Sequence, residues 1–139
     1  LKVFDVTKQA IQESIFTNHK LITALDTTPQ FVLTGMEDGA VKVFDLRKSA
    51  TKAQAVMSFD CHDKWVAQIK VNPQAEQVFL TAGYDGKVKM WDLRNTTESL
   101  SVLKRQNATD TDKVFALAWN GGSQILSGGT DSHISVHEL

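Results

Sequence analysis

Thr81 to Leu93 reads TAGYDGKVKMWDL, and the same grammar returns as TGMEDGAVKVFDL from Thr34 to Leu46 and as SGGTDSHISVHEL from Ser127 to Leu139. Each copy is an apolar strand, a tight turn at Asp85-Gly86, Asp38-Gly39 or Asp131-Ser132, and a second strand that closes on a ring and an acid. LKVFDV, Leu1 to Val6, is the second half of a further copy. The closing acids Asp5, Asp45, Asp92 and Glu138 stand 40, 47 and 46 residues apart. A fixed period of this length means an array of like units, each burying its apolar faces against its neighbours.

Working outward from the complete copy, VAQIKVN (Val66 to Asn72) alternates apolar and polar residues and reads as a half-buried strand. VFLTAGY and KVKMWDL follow, joined by Asp85-Gly86, a pair that predicts a type I′ hairpin with positive φ at both central residues. A weaker fourth strand is expected over Ser99 to Arg105. The same order appears earlier as LITALD, FVLTGME, AVKVFDL and AQAVMSF (Ala53 to Phe59), and later as VFALAWN, QILSGGT and HISVHEL. Pro29 and Pro73 both fall between first and second strands, where a missing amide donor costs nothing. No segment reads as a helix. The chain therefore divides into 1–18 (the end of one unit), 19–60, 61–107, and 108–139, a last unit of three strands.

Composition narrows the class. With 42% hydrophobic and 22% charged residues the chain can bury a core. It holds no apolar run of the roughly 18 residues a membrane helix needs, and no charged-then-apolar leader. Cys61 is the sole cysteine and fits a reducing compartment. Fifteen basic against sixteen acidic residues give a net charge of −1, so no general field draws nucleic acid, and RNA contact would be local or indirect.

The period, the four strands per unit and the closing ring-acid pair resemble the WD-repeat β-propeller family. That resemblance implies an all-β fold, here the C-terminal portion of a WD40 propeller, seven-bladed when complete, with antiparallel four-stranded blades. A start in mid-blade and an end after a third strand fit such a portion. The family's buried set of histidine, hydroxyl, turn aspartate and tryptophan is matched in full by His62, Thr81, Asp85 and Trp91. The preceding unit keeps Thr34 and Asp38, with Phe44 for tryptophan and His19 slightly out of register. The last keeps Ser127 and Asp131, with His137 for tryptophan and Asp110 near the histidine place.

A histidine, a hydroxyl and an aspartate also invite a catalytic reading. A hydrolase needs an exposed nucleophile and an oxyanion hole, whereas this hydroxyl lies within an apolar strand and the set recurs in part from unit to unit. The structural reading prevails, and no enzyme activity is expected. His19, His62, His133 and His137 lack the paired spacing of a zinc site, so no metal is expected. Gly128-Gly129 is not a phosphate loop opening a helix, and neither a cofactor nor a small-molecule substrate is expected.

A narrower resemblance rests on HDKWVAQIKVNPQ, VFLTAGYDGKVKMWDLRNTTESL, DKVFALAWN and ILSGGTDSHISVHEL, with LITALDTTPQFVLTGMEDGAVKVFDLR before them. These stretches are similar to the C-terminal blades of the WD-repeat subunits of the Pescadillo complex. The resemblance implies a nucleolar scaffold in large-subunit (60S) ribosome biogenesis and pre-rRNA processing. Its protein partners would be the block-of-proliferation protein, Pescadillo and the pre-60S particle, and no membrane is implied. Two other readings stay open. Asp45-Leu46-Arg47 and Asp92-Leu93-Arg94 are similar to the double motif of WD substrate receptors of cullin-type ubiquitin ligases, where Arg47 and Arg94 would contact an adaptor. A cytosolic receptor for a targeting peptide shares the WD features and would place the chain in the cytoplasm.

In WD propellers the loop before the first strand and the aspartate turn open on one face. Lys64, Trp65 and Tyr84 are therefore expected together there, with Glu37 and Lys113 on the flanking blades, as candidate partner contacts. Trp65 has a second reading as filler of the groove between blades.

Overall fold

The computed structural model describes residues 1–14, 20–45, 47, 54–105, 109, 111–121 and 123–139. Every regular element among them is a strand: β1 (Lys2–Asp5), β2 (Ala10–Ser14), β3 (Ile22–Thr27), β4 (Phe31–Met36), β5 (Ala40–Asp45), β6 (Met57–Asp60), β7 (Val66–Val71), β8 (Val78–Gly83), β9 (Val88–Asp92), β10 (Ser101–Leu103), β11 (Val114–Asn120), β12 (Gln124–Gly129) and β13 (Ile134–Glu138). They form four antiparallel sheets in chain order, β1-β2, β3-β4-β5-β6, β7-β8-β9-β10 and β11-β12-β13. The outer strands β6 and β10 are shorter than Ala53 to Phe59 and Ser99 to Arg105 suggested, and residue 53 lies outside the described residues.

The three larger sheets pack face to face, and their middle strands are apolar on both sides for that reason. In β8, Phe79 faces a core with Leu33, Val41, Val43 and Phe59 of the preceding sheet, while Leu80 and Ala82 face Val114, Leu117 and Ile125 of the next. Phe59 stands edge-on to Phe79 and to Trp91, with centroids 5.2 and 5.8 Å away. Each such aromatic pair contributes roughly 0.5–1.5 kcal/mol beyond its area. The first strands are also latched sideways from sheet to sheet. Thr23 Oγ1 donates to the carbonyl of Val66 (2.5 Å), Leu117 N donates to Gln68 Oε1 (2.6 Å), and Trp119 Nε1 donates to the carbonyl of Lys70 (3.1 Å).

The hairpins at the aspartate turns differ from the type I′ expectation. Only Gly39 (φ +87°), Gly86 (φ +77°) and Ser132 (φ +60°) are left-handed there; the aspartates are not. Met36 O accepts from Gly39 N, Gly83 O from Gly86 N, and Gly129 O from Ser132 N. The loops thus have three residues, a right-handed turn followed by one left-handed residue, the next most common hairpin solution. Each aspartate Oδ1 accepts the amide two residues on, from Ala40, Lys87 and His133.

Candidate functional site

The hydrogen-bonded chain in the third sheet links its two middle strands to the segment before β7 and to the aspartate turn. Trp91 Nε1 on β9 donates to Thr81 Oγ1 on β8 (3.0 Å), which lies 2.8 Å from His62 Nε2, and His62 Nδ1 lies 2.8 Å from Asp85 Oδ1. Since the ionised carboxylate can only accept, Nδ1–H donates to Asp85, and in the neutral imidazole Nε2 then accepts the threonine hydroxyl proton while Trp91 Nε1–H takes a lone pair of the same oxygen. Burial raises the Asp85 pKa, but the His62 bond and the amides of Lys87 and Asp63 outweigh it and hold the carboxyl at about 2. Gly83 makes room: a Cβ there would stand 2.5 Å from His62 Nδ1. Thr81 is wholly buried and its hydroxyl is engaged on both sides, so no substrate atom can reach it.

The turn aspartates of the flanking sheets carry different cations. Asp38 pairs with Lys20, and Asp131 pairs with Arg105 Nη2 at 2.6 Å, with both of those last side chains almost wholly buried. Burial raises the Asp131 pKa and Arg105 more than offsets it. His19 and Asp110 lie outside the described residues. In the last sheet His137 Nε2 is 3.1 Å from Ser127 Oγ, and burial lowers the His137 pKa. Arg105 is the residue sequence reading missed. The signal was its place two residues past β10, as His62 stands two past β6.

One rim of the array repeats a single hydrogen bond three times. Glu37 N donates to Leu21 O, Tyr84 N to Trp65 O, and Thr130 N to Lys113 O. Leu21, Trp65 and Lys113 are thus equivalent positions before β3, β7 and β11, and Glu37, Tyr84 and Thr130 are equivalent turn positions. Just inside, each first strand carries a bulge, at Thr23, Ala67 and Phe115, where two residues oppose one on the partner strand. Bulges of this kind re-aim side chains at strand ends.

The bulge at Phe115 sets its ring edge-on to Tyr84 of the preceding sheet, with centroids 5.3 Å apart, and Trp65 stacks on Tyr84 at 5.6 Å. The Lys113 ammonium lies 5.0 Å from the Tyr84 centroid, a cation–π contact. Leu21, Trp65 and Phe115 remain 51%, 43% and 45% exposed, and with Tyr84 they border a depression of about 260 Å³. Trp65 therefore sits on the open rim, stacked within its own sheet. Lys64 is exposed beside it, and Glu37 holds Leu21 through Oε1 as well as through its amide.

Arg47 and Arg94 are at the opposite end of the strands. Arg47 Nε and Nη2 donate to Asp45 at 2.9 and 2.8 Å, and Arg94 Nε and Nη2 donate to Asp92 at 2.9 and 2.5 Å. The two-pronged edge of each guanidinium is thus already taken by the aspartate two residues earlier. Among the described residues no three metal-ligating side chains converge.

The WD domain, G-beta repeat family matches residues 11–45 and 53–92, just over half of the chain. The Ribosome biogenesis protein WDR12 homolog of Arabidopsis thaliana is 36% identical over 105 residues, covering 76% of this chain and 23% of its own length. Its counterpart in Chlamydomonas reinhardtii is 34% identical over 118 residues, 80% of this chain and 26% of the relative. Ribosome biogenesis protein YTM1 of Candida albicans is 25% identical over 140 residues, 99% of this chain and 30% of the relative. The chain spans less than a third of these curated relatives' length. A chain in the crystal structure of the mitotic checkpoint complex superposes with a TM-score of 0.83 at 19% identity, over 99% of this chain and 42% of that one, which shows the fold alone. Repeat spacing, four-stranded antiparallel sheets and the family match agree: the chain belongs to the WD-repeat family and forms part of a WD40 β-propeller.

Proposed function

We propose that the protein is a non-catalytic WD-repeat scaffold of large-ribosomal-subunit biogenesis, acting in the nucleolus in pre-rRNA processing. The observation that carries this is the similarity over 76–99% of the chain to proteins named for ribosome biogenesis. The propeller supplies a rigid frame, and the Leu21–Trp65–Tyr84–Phe115 rim supplies an apolar docking face. Exposed aromatic rings clustered on a preorganised frame suit protein binding, since little side-chain freedom remains to be lost. The partner on this reading is the block-of-proliferation protein, with Pescadillo and the pre-60S particle reached through it and RNA met only indirectly.

The test is affinity purification of the full-length protein from growing cells, with mass spectrometry and sequencing of the bound RNA. Recovery of the block-of-proliferation protein with precursors of the large-subunit RNAs is the expected outcome. Recovery of a cullin adaptor without ribosomal precursors would overturn it.

A further inference from the structure

The junction of the third and last sheets holds a second cavity, of about 300 Å³, that shares no lining residue with the depression beside Trp65. It lies between the Asp85-Gly86 turn, the end of β10 and Thr109. Gly86 lets the chain cross there: a Cβ on it would stand 2.5 Å from the Asp112 carbonyl and 3.9 Å from that of Thr109. Thr109 is exposed. Its hydroxyl donates to Asp112 Oδ2 at 2.9 Å, beside its own amide at 2.7 Å, and lies 3.0 Å from Thr111 Oγ1.

Lys87, Lys104 and Arg105 line this cavity against a single carboxylate, Asp85. That carboxylate is already held by His62 and by the amides of Asp63 and Lys87. Lys104 is exposed and forms no ion pair among the described residues. Lys87 pairs with Asp63, whose side chain is 80% exposed, a surface contact of little strength. Arg105 differs from both. Its side chain is 1% exposed, Nη2 serves Asp131 and the His133 carbonyl, and Nε and Nη1 have no hydrogen-bond partner among the described residues. Asp131 Oδ2 is unpartnered too, but Asp131 is not part of the lining. Donors withdrawn from water without an acceptor cost free energy, so this lining favours an anion that brings several acceptor oxygens.

We infer that Thr109 is a phosphorylation site and that its phosphoryl group seats in this cavity against Lys87, Lys104 and Arg105. In the sequence the hydroxyl is followed by Asp110 and Asp112, the carboxylate pattern that a protein kinase with a basic substrate groove selects. The kinase transfers the γ-phosphoryl group of ATP. The bond from the γ-phosphorus to its bridging oxygen breaks, Thr109 Oγ1 bonds to phosphorus, ADP leaves, and the hydroxyl proton passes to the kinase's catalytic aspartate. Oγ1 then has no proton for Asp112, and about two negative charges stand beside that carboxylate. Repulsion turns the group away from Asp112 and onto the cations, which gain its acceptor oxygens. The loop before β11 is thereby tied to the end of β10, across the junction of the two sheets. This inference goes beyond the docking function and does not depend on it.

The test treats the full-length protein with an acid-directed serine/threonine kinase and magnesium ATP, and maps the phosphate by mass spectrometry. Phosphothreonine is expected at residue 109. A protein that takes no phosphate there, or takes it at Thr111 instead, overturns the inference. Seating is read by removal: a broad-specificity phosphatase should release the phosphate from the folded protein roughly fivefold or more slowly than from a synthetic phosphopeptide spanning 104–116. Lys87→Ala with Lys104→Ala, both at exposed positions, should bring the two rates to within about twofold. Release as fast as from the peptide overturns the inference, and so does protection that survives the double variant, which would assign it to the bulk of the fold.

Discussion

The guanidinium of Arg105 stands 2.6 Å from Asp131, in the place that the imidazole of His62 takes over Asp85 one sheet earlier. Three turn aspartates in successive sheets are thus partnered by three different residues, Lys20, His62 and Arg105, each supplied by the segment that leads into that sheet. What the fold needs at this point is a cation or donor for a carboxylate withdrawn from water, and the residue type is secondary. Arg105 does the work incompletely: its Nε and Nη1, and Asp131 Oδ2, have no hydrogen-bond partner among the described residues.

Asymmetry of that pair gives a prediction. Arg105→Met strands the Asp131 carboxylate and should lower the melting temperature of the full-length protein. Arg105→Met with Asp131→Leu should recover much of the loss, because an apolar pair of similar bulk avoids the desolvation of two ions. Calorimetry that found the double variant no better than the single would contradict this.

In the third sheet, Asp85→Ala or His62→Ala leaves a buried polar partner unsatisfied and should cost about 1–3 kcal/mol. Urea unfolding of the full propeller reads this directly. Activity-like readouts should not change, since Thr81 is sealed from solvent.

The same site sets a pH dependence. The Asp85 pKa is depressed in the fold to about 2 from 3.8, so its contribution is present above the unfolded value and is lost as pH falls through the folded one. A difference of this size is worth about 2 kcal/mol. The stability gap between the native protein and Asp85→Asn should therefore be constant above about pH 5 and shrink between about pH 4 and 2. A gap that widened on acidification would have the wrong sign.

Turn geometry makes a further pair of predictions. Gly86 is left-handed and a Cβ there would meet the Asp112 carbonyl at 2.5 Å, so Gly86→Ala should destabilise by about 1–3 kcal/mol. Ser132 holds the same left-handed conformation without being glycine, and Ser132→Gly should stabilise by roughly 0.5–1 kcal/mol. Denaturation midpoints of the two variants should move in opposite directions.

These turns also show what the sequence could and could not disclose. Strand positions were legible because alternation and the repeated Asp-Gly punctuate them. Turn type was not, because Tyr84, Glu37 and Thr130 read as strand ends and belong to the loops. The bulges were invisible for a related reason. In VAQIKV the apolar alternation runs on through Ala67, and only pairing with β8 shows that one residue is extra. Arg105 was not legible because the histidine place is filled by another residue type and Asp110 stands near it in the sequence, while the requirement there is a cation for Asp131. The rim residues Trp65 and Tyr84 could be placed near each other from loop order, but the part of Phe115 shows only through the bulge on β11 that carries it.

The central claim, that the aromatic rim docks a protein, is tested most directly by Trp65→Ala and Tyr84→Ala in the full-length protein, with co-purification of the block-of-proliferation protein and the melting temperature measured side by side. Truncating a ring at the centre of an interface costs roughly 2 kcal/mol or more, which predicts at least a tenfold loss of partner at a nearly unchanged melting temperature. A lowered melting temperature with undiminished partner per folded molecule would contradict the account and assign both rings to the stability of the propeller.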